Sequence, residues 1–313
     1  MAQTKTAINL NRRHAVIFLL LALSLYVILP QLGNFHDSLK LLRHPDFRTL
    51  AEAFIVTMLT YFLAAATYVL LAFKKLAYGK TLLVQLASLF VNRLLPAGVG
   101  ALGMNYLYLR KSKHSTTEAS AVVAANNLVG ILGHTLLFAT ILVVSGKNLP
   151  PTHVNVGHNI LLSLLVVGAI AALVLLTRLR LKIVNGLHSF LKQISSYHKR
   201  PLHLQGALIT SMSLTLCTVS GLWFCLMAVG VHLAFVTIFI VFSLGLSVGT
   251  ATPTPGGLGG LEAGLVAALV TYHVPSASAL AGVLLYRLLT YWFSLAIGAV
   301  AFVVVRQHKL LKA

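Results

Sequence analysis

The chain is a succession of long apolar stretches separated by short segments that carry its charged residues. A charged side chain at the centre of a bilayer costs about 2.5 to 3.5 kcal/mol on insertion scales, so charges mark where membrane crossings end. A helix needs roughly 20 apolar residues to cross the hydrocarbon. Each stretch of about that length predicts one membrane-spanning helix: 15–32, 53–73, 119–146, about 159–177, 204–229 and 278–305, the last of which contains Arg287.

Two further apolar stretches are interrupted by residues that a helix does not tolerate. Residues 80–110 contain Asn92-Arg93 and the run Pro96-Ala97-Gly98-Val99-Gly100, and residues 233–272 contain Thr252-Pro253-Thr254-Pro255-Gly256-Gly257-Leu258-Gly259-Gly260. Proline removes a backbone donor and glycine adds entropic cost, so we predict two helical arms around each non-helical tip. We interpret both stretches as re-entrant hairpins. Because such a tip is tolerated at membrane depth only beside protein or a water-filled cavity, both tips are candidate substrate-binding elements.

Composition excludes an ordinary soluble domain. Of 313 residues, 58% are hydrophobic and 9% are charged, whereas about a quarter of the residues in soluble domains carry charge. The 24 Lys and Arg residues outnumber the five Asp and Glu residues, which gives a net charge of +19. In a soluble protein this excess would indicate nucleic acid. Here the basic residues flank apolar stretches, so we expect anionic membrane lipids as partners and no nucleic acid.

The order of elements predicts an internal repeat. A shift of 159 positions aligns Pro96 with Pro255, Gly98 with Gly257 and Gly100 with Gly259. The order of two spans, a hairpin and a third span also recurs. Because three crossings are an odd number, the second unit must be inverted. We therefore predict an all-α polytopic membrane protein with about six transmembrane helices and two re-entrant hairpins, in which one domain, 1–313, comprises a first repeat, 1–147, and an inverted repeat, 148–313.

Three charged residues are predicted to lie at membrane depth. Glu262 follows the second tip, and Arg287 lies within the last span. An ionisable residue in a membrane is a functional hypothesis with a named partner, so we predict that these two pair and that the Arg287 guanidinium holds a phosphate. Arg93 has the corresponding position in the first hairpin. The structural alternatives are that Glu262 caps a helix and that Arg93 snorkels to the interface.

Asn92 and the two tips complete the candidate substrate-binding set. Asn92 either lines a polar cavity or bonds helices together. Backbone N–H groups exposed at glycines near a helix start can meet a lipid phosphate, whereas close helix packing is the structural alternative. The tip residues in this set are Pro96, Gly98, Gly100, Pro255, Gly256, Gly257 and Gly259.

No pattern for catalysis, a metal or a cofactor stands out. His134 and His232 lack acidic or histidine neighbours at ligand spacing, and Gly98-x-Gly100-x-x-Gly103 lacks the strand and helix that a dinucleotide fingerprint requires. Each acidic residue has another explanation; Glu118, for example, is placed to cap the span that follows it. We expect no cofactor and, most simply, a transporter rather than an enzyme.

The two interrupted motifs, followed by an arginine-bearing last span, resemble the lysylphosphatidylglycerol synthase transmembrane family, the flippase-like region of bacterial multiple-peptide-resistance proteins. The resemblance covers nearly the whole chain and implies a lipid translocator of a prokaryotic cell membrane, which moves an aminoacylated phospholipid or a polyprenyl-linked lipid between leaflets. It matches the membrane part of the synthases, so we expect a stand-alone membrane domain without the aminoacyl-transferase domain. The positions it points to are Pro255, Gly256, Gly257, Gly259, Glu262 and Arg287.

Three other functions remain open at the level of sequence. The chain could be a membrane partner or scaffold that docks a separate aminoacyl-transferase or glycosyltransferase through the basic segment 178–200. It could be an enzyme that acts on membrane lipids, or a carrier of small solutes. Since no ATP-binding motif is present, net transport in one direction would need a gradient, a potential or metabolic removal of the product.

Overall fold

The computed structural model describes residues 38, 40–42, 45–95, 99–145, 195–252, 254, 256–308 and 310. The predicted spans 15–32 and 159–177 lie outside these residues, as do Pro96, Gly98 and Pro255. Within the described part, nine α-helices follow one another, and a π-helical turn, Leu288–Phe293, joins the last two. They are α1 (Phe47–Leu71), α2 (Tyr78–Leu94), α3 (Val99–Lys111), α4 (Thr116–Ser145), α5 (Pro201–Met227), α6 (Phe235–Ala251), α7 (Gly260–Thr271), α8 (Ser276–Arg287) and α9 (Ser294–Gln307).

Four predicted spans are confirmed as helices long and apolar enough to cross a membrane. They correspond to α1, α4, α5 and the continuous helical segment Ser276–Gln307, which joins α8, the π turn and α9. The starts of these helices follow local sequence signals. Asp46 accepts a hydrogen bond from the backbone N–H of Arg48 at the start of α1. Before α4, the Ser115 backbone N–H donates to the Glu118 carboxylate, and the Glu118 N–H donates to the Ser115 hydroxyl. This capping box confirms the predicted role of Glu118.

Glycines allow the long helices to approach closely. At Gly221 of α5, a Cβ would lie 3.2 Å from the hydroxyl oxygen of Thr57 on α1. At Gly282 of α8, a Cβ would lie 2.5 Å from a methyl group of Leu226 on α5. Helix α5 is therefore packed between α1 and α8, and the main apolar core is built largely from α5, α6, α7 and α8.

Both predicted interruptions are confirmed within the described residues. Helix α2 ends at Leu94 and α3 begins at Val99, while α6 ends at Ala251 and α7 begins at Gly260. The arms of the second break run antiparallel, because Gly249 lies against Leu261 and Gly245 lies against Leu265. At 17 and 12 residues, α6 and α7 are about 26 and 18 Å long, so neither crosses about 30 Å of hydrocarbon alone.

The re-entrant placement and the inverted repeat stay predictions. The first span of each predicted unit lies outside the described residues. What the described part does establish is a pair of interrupted helical segments, each with its arms packed against one another.

Helix α2 is held against α9, which fixes the position of the first break. A Cβ at Gly298 of α9 would lie 2.8 Å from the backbone nitrogen of Phe90 and 2.9 Å from the carbonyl oxygen of Leu86. The backbones of the two helices are therefore in near contact. This contact brings Arg93, one turn beyond Phe90, beside the π turn of the last span.

Candidate functional site

Glu262 and Arg287 form the predicted ion pair. The Arg287 Nε donates to the Glu262 Oε1 at 2.6 Å, and the Arg287 side chain is only 5% exposed. The second carboxylate oxygen of Glu262 accepts the backbone N–H of Gly259 at 2.9 Å. Glu262 therefore caps the start of α7 and neutralises Arg287 at the same time.

Arg287 also contacts the second break and an aromatic ring. Its Nη2 donates to the carbonyl oxygen of Gly256 at 3.3 Å. Its guanidinium carbon lies 4.7 Å from the centre of the Tyr291 ring. Tyr291 follows Arg287 by four residues and lies in the π turn. Because a cation is attracted to the face of an aromatic ring, this contact stabilises Arg287 where water is excluded.

Arg93 reaches the same aromatic ring from the first break. Its guanidinium carbon lies 4.8 Å from the centre of the Tyr291 ring, and its Nη2 donates to the carbonyl oxygen of Thr290 at 2.7 Å. The Nε of Arg93 is buried and has no hydrogen-bond partner. The side chain is thus directed into the protein, towards the last span, rather than to the interface.

Gly256 lies where the two breaks meet. Its φ of +62° is in the left-handed region that favours glycine. A Cβ there would lie 2.6 Å from Cε2 of Tyr291 and 2.9 Å from Cδ of Arg93. The absence of a side chain at this position therefore permits the break, the ring and the guanidinium to come together.

A cavity of about 610 Å³ opens beside these groups. Both Arg93 and Arg287 line it, together with residues from α1, α5, α6 and the second break. Its volume lies in the range of about 300 to 1,000 Å³ that is typical of small-molecule sites. The polar residues of its wall are Thr57, Thr60, Tyr61, Asn92, Arg93, Thr218, Thr250, Thr252, Thr254, Tyr286, Arg287, Thr290 and Ser294.

The cavity carries excess positive charge from its described residues. Glu262 is engaged by Arg287, whereas Glu52 pairs with Arg48 and Glu118 with Lys74, both away from the cavity. The Asp46 carboxylate caps α1, and Asp37 lies outside the described residues. Within the part of the chain that the structure describes, no acidic side chain pairs with Arg93.

The structure brings together part of the candidate set. Asn92 and Gly257 line the cavity with Arg93, Arg287 and Gly256. Gly259 does not line it, but its backbone N–H bonds the Glu262 carboxylate that pairs with Arg287. Gly100 instead packs against the α2 backbone, where a Cβ would lie 2.5 Å from the carbonyl oxygen of Val91. The placement of Pro96, Gly98 and Pro255 lies outside the described residues.

Sequence reasoning missed Tyr291 and the threonines of the wall. Tyr291 could have been found by its position, since residues four apart share a helix face and Arg287 was already a candidate. Within the described ranges, no three His, Cys, Asp or Glu side chains come close enough to hold a metal ion. His134 is used locally, since it bonds the Ser243 hydroxyl at 3.2 Å and stacks on Phe239.

Together, the apolar spans, the two interrupted segments and the buried guanidinium groups define a multi-pass helical membrane protein with a cavity beside two arginine side chains. The chain belongs to the family described as the lysylphosphatidylglycerol synthase TM region, whose model matches residues 15–298. It is also similar to a UPF0104 membrane protein of Methanocaldococcus jannaschii, with 26% identity over 230 residues that cover 71% of this chain and 97% of the relative. A UPF0104 membrane protein of Methanothermobacter thermautotrophicus is 33% identical over 79 residues, which cover 25% of this chain and 24% of that relative.

Proposed function

We propose that this protein binds the phosphate group of a membrane lipid in its cavity and moves the lipid between the leaflets of a prokaryotic cell membrane. The observation that carries the proposal is Arg93. Its guanidinium lines the cavity, its Nε is buried without a partner, and no acidic side chain of the described residues neutralises it.

The energetic argument starts from the cost of such a charge. Removing an ion from water costs several kcal/mol even after relaxation, unless a counter-charge compensates it. An arginine side chain keeps its charge across the ordinary range of pH. The hydrogen bond to Thr290 and the ring of Tyr291 supply part of the compensation. A phosphate oxygen in the cavity would supply the rest, because the planar guanidinium matches phosphate geometry.

The two arginines are assigned different roles because their hydrogen-bond partners differ. Glu262 already neutralises Arg287 through the Nε bond, so Arg287 acts mainly to hold the second break through Gly256. Arg93 has no carboxylate partner among the described residues and therefore carries the net charge. We therefore assign phosphate binding chiefly to Arg93. Arg287 and the backbone around Gly256 and Gly257 form the opposite side of the cavity.

The position of the site, where two interrupted helical segments meet, supports a role in transport. Broken helical segments that meet at a polar site are the usual plan of secondary transporters, in which one unit rocks against the other around the bound substrate. The headgroup would occupy the cavity while the acyl chains stay in the bilayer. Membership of a family named for a lipid synthase supports a lipid as the substrate, and the relatives are named only as membrane proteins.

A translocation assay tests this proposal. Purified protein is reconstituted into vesicles with a trace of phosphatidylglycerol that carries a fluorophore on one acyl chain, and dithionite then bleaches the label in the outer leaflet. Wild-type protein should make nearly all of the label accessible to dithionite, whereas empty vesicles protect about half. Arg93→Gln should restore protection, because the guanidinium is lost.

Arg48→Gln is the matched control, since the Arg48 side chain is 88% exposed and pairs with Glu52 outside the cavity. This variant should translocate as fast as the wild type. Equal rates for folded Arg93→Gln and wild type would refute the role of Arg93. Product formation from lipid by the purified protein would instead favour an enzyme, and co-purification of a soluble synthase without lipid movement would favour a scaffold.

A further inference from the structure

The cavity is much larger than the phosphate group assigned to it. Its volume of about 610 Å³ equals that of about 20 water molecules in the liquid, at about 30 Å³ each, and a phosphate replaces only a few of them. Most of the surface that lines this volume is apolar. Because transfer of apolar surface out of water is favourable, the remaining space suits a hydrocarbon group of the ligand better than a second polar group.

Two leucines contribute to this apolar lining from different helices, Leu89 on α2 and Leu214 on α5. Both residues are partly buried. Neither is among the apolar residues that pack against the buried clusters formed by the described part of the chain. Their side chains therefore border the cavity without being covered by that core, and they remain available to contact a ligand.

Leu89 also lies close to the proposed phosphate site. It precedes Arg93 by four residues on α2, so the two residues share one face of the helix and are about 6 Å apart along its axis. Both line the cavity. A hydrocarbon chain attached directly to the phosphate would meet Leu89 within its first few carbon atoms. A sugar, glycerol or amino-acid headgroup would instead place polar groups against this apolar surface, where their desolvation opposes binding.

The charges described around the cavity favour a ligand with one anionic group. Arg93 and Arg287 line the cavity, and Glu262 neutralises Arg287. The charge that is left is that of Arg93, which a phosphate balances. The carboxylate oxygens of Glu262 are both engaged, one by Arg287 and the other by the Gly259 N–H. An ammonium group, as in an aminoacylated headgroup, would therefore be repelled by the remaining positive charge.

We propose that the preferred ligand is a phosphate ester of a hydrocarbon alcohol, that is, an alkyl or prenyl phosphate. Its phosphate binds Arg93, its first carbon atoms lie against Leu89 and Leu214, and the rest of the chain extends into the bilayer. This inference rests on the proposed function and narrows its substrate class. Lipids that carry a large polar headgroup on the phosphate are the poorer ligands.

Water-soluble phosphate compounds test this ligand class. The probes are inorganic phosphate, glycerol 3-phosphate, and ethyl, butyl and hexyl phosphate, of which the four esters carry the same phosphate group and the same charge. Their dissociation constants for detergent-solubilised protein are measured by thermal-shift titration. Affinity should rise about fourfold with each methylene group that enters the cavity, as expected for hydrocarbon that leaves water. Glycerol 3-phosphate should bind no more tightly than inorganic phosphate.

Variants of the two leucines test the assigned contact. Leu89→Asn and Leu214→Asn replace apolar surface by polar groups of similar size, so each should lower the affinity for hexyl phosphate several-fold relative to inorganic phosphate. Leu136→Asn is the matched control, because Leu136 is 47% exposed on α4 and does not line the cavity. Its ratio should equal that of the wild type. Leu214→Trp is a second test, since the larger side chain fills part of the cavity and should weaken binding of hexyl phosphate more than that of ethyl phosphate.

The ligand class and the translocation proposal fail separately. Equal affinities for hexyl phosphate, glycerol 3-phosphate and inorganic phosphate would overturn the ligand class. A chain-length effect of unchanged size in both asparagine variants would overturn it as well, because the hydrocarbon would then bind outside the cavity. Lipid movement in vesicles would stand in either case. If hexyl phosphate binds preferentially and the leucine variants lose this preference, but no lipid moves, the translocation proposal fails and the ligand class stands.

Discussion

The guanidinium of Arg93 donates a 2.7 Å hydrogen bond to the backbone carbonyl oxygen of Thr290, 197 positions further along the chain. This bond joins the first interrupted segment to the π turn of the last span. Single π-helical turns of this kind are frequent at functional sites. The second break reaches the same place through Gly256, so one aromatic residue, Tyr291, lies beside both arginines.

Replacing Glu262 with glutamine should destabilise the protein strongly. The variant leaves Arg287 buried at 5% side-chain exposure without its carboxylate partner. Breaking a buried ion pair in this way costs about 3 to 5 kcal/mol. The measurement is the midpoint of chemical unfolding in detergent, and the double variant Glu262→Gln, Arg287→Gln should recover part of the loss.

The exposed Arg48–Glu52 pair provides the control for this change. The two side chains are 88% and 40% exposed, so Glu52→Gln should alter the free energy of unfolding by no more than about 0.5 kcal/mol. Similar small changes for Glu262→Gln and Glu52→Gln would show that the Glu262–Arg287 contact contributes little.

Adding a methyl group at Gly256 should disturb the meeting point of the two breaks. Gly256→Ala forces an L-residue to a φ of +62° and places its Cβ 2.6 Å from the Tyr291 ring. We expect a loss of about 1 to 3 kcal/mol in stability from backbone strain alone. The control is Gly130→Ala in α4, where a Cβ would meet no atom within 4 Å. This variant should gain about 0.5 to 1 kcal/mol from helix propensity, and an equal effect at both sites would contradict the account.

The aromatic ring of Tyr291 should contribute more to stability than its hydroxyl group. Tyr291→Phe preserves the aromatic face that both guanidinium groups contact, whereas Tyr291→Leu removes it. Since a desolvated cation–π contact is worth about 2 kcal/mol, the leucine variant should unfold at a clearly lower denaturant concentration than the phenylalanine variant. Identical midpoints for the two variants would eliminate the ring as a source of stabilisation.

His114, in the loop between α3 and α4, should make stability depend on pH. Burial lowers the pKa of this imidazole. Its Nε2 accepts the backbone N–H of Lys74 and its Nδ1 lies 3.2 Å from the carbonyl oxygen of Leu109, so the neutral ring with the proton on Nδ1 satisfies both contacts. Protonation would place a hydrogen on Nε2, which would then face the backbone N–H of Lys74 and could no longer accept from it.

The sign of the effect follows from the direction of that shift. The folded pKa is below the unfolded value of about 6.5, so the stability from neutral His114 is fully present above pH 6.5 and is lost as pH falls through the folded pKa. Unfolding midpoints between pH 8 and pH 5 should fall more steeply for wild type than for His114→Gln. Parallel curves would mean that His114 does not contribute.

The features that could be predicted from sequence are those for which the local residues allow only one or two structures. Helix interruptions follow from clustered proline and glycine, and four spans follow from the length of uncharged stretches. The pairing of Glu262 with Arg287 was predictable because charges in hydrocarbon are rare and need a partner. In each case a local or pairwise rule leaves almost no alternative.

The rest of the site depends on tertiary packing that no local pattern encodes. Arg93 could equally have extended to the interface, and the close contact at Gly298 between α2 and α9 decides against this. The threonines that line the cavity come from segments far apart in sequence, so they meet only when the helices assemble. Their local hydrogen bonds to the backbone resemble those of any threonine in a helix.

Native mass spectrometry of lipids that co-purify with the protein tests the central claim most directly. Arg93 is proposed to hold a lipid phosphate, so wild-type protein and Arg48→Gln should both retain phosphate-bearing lipid after mild detergent extraction, and Arg93→Gln should lose most of it. Retention of the same lipid in equal amount by Arg93→Gln would contradict the account.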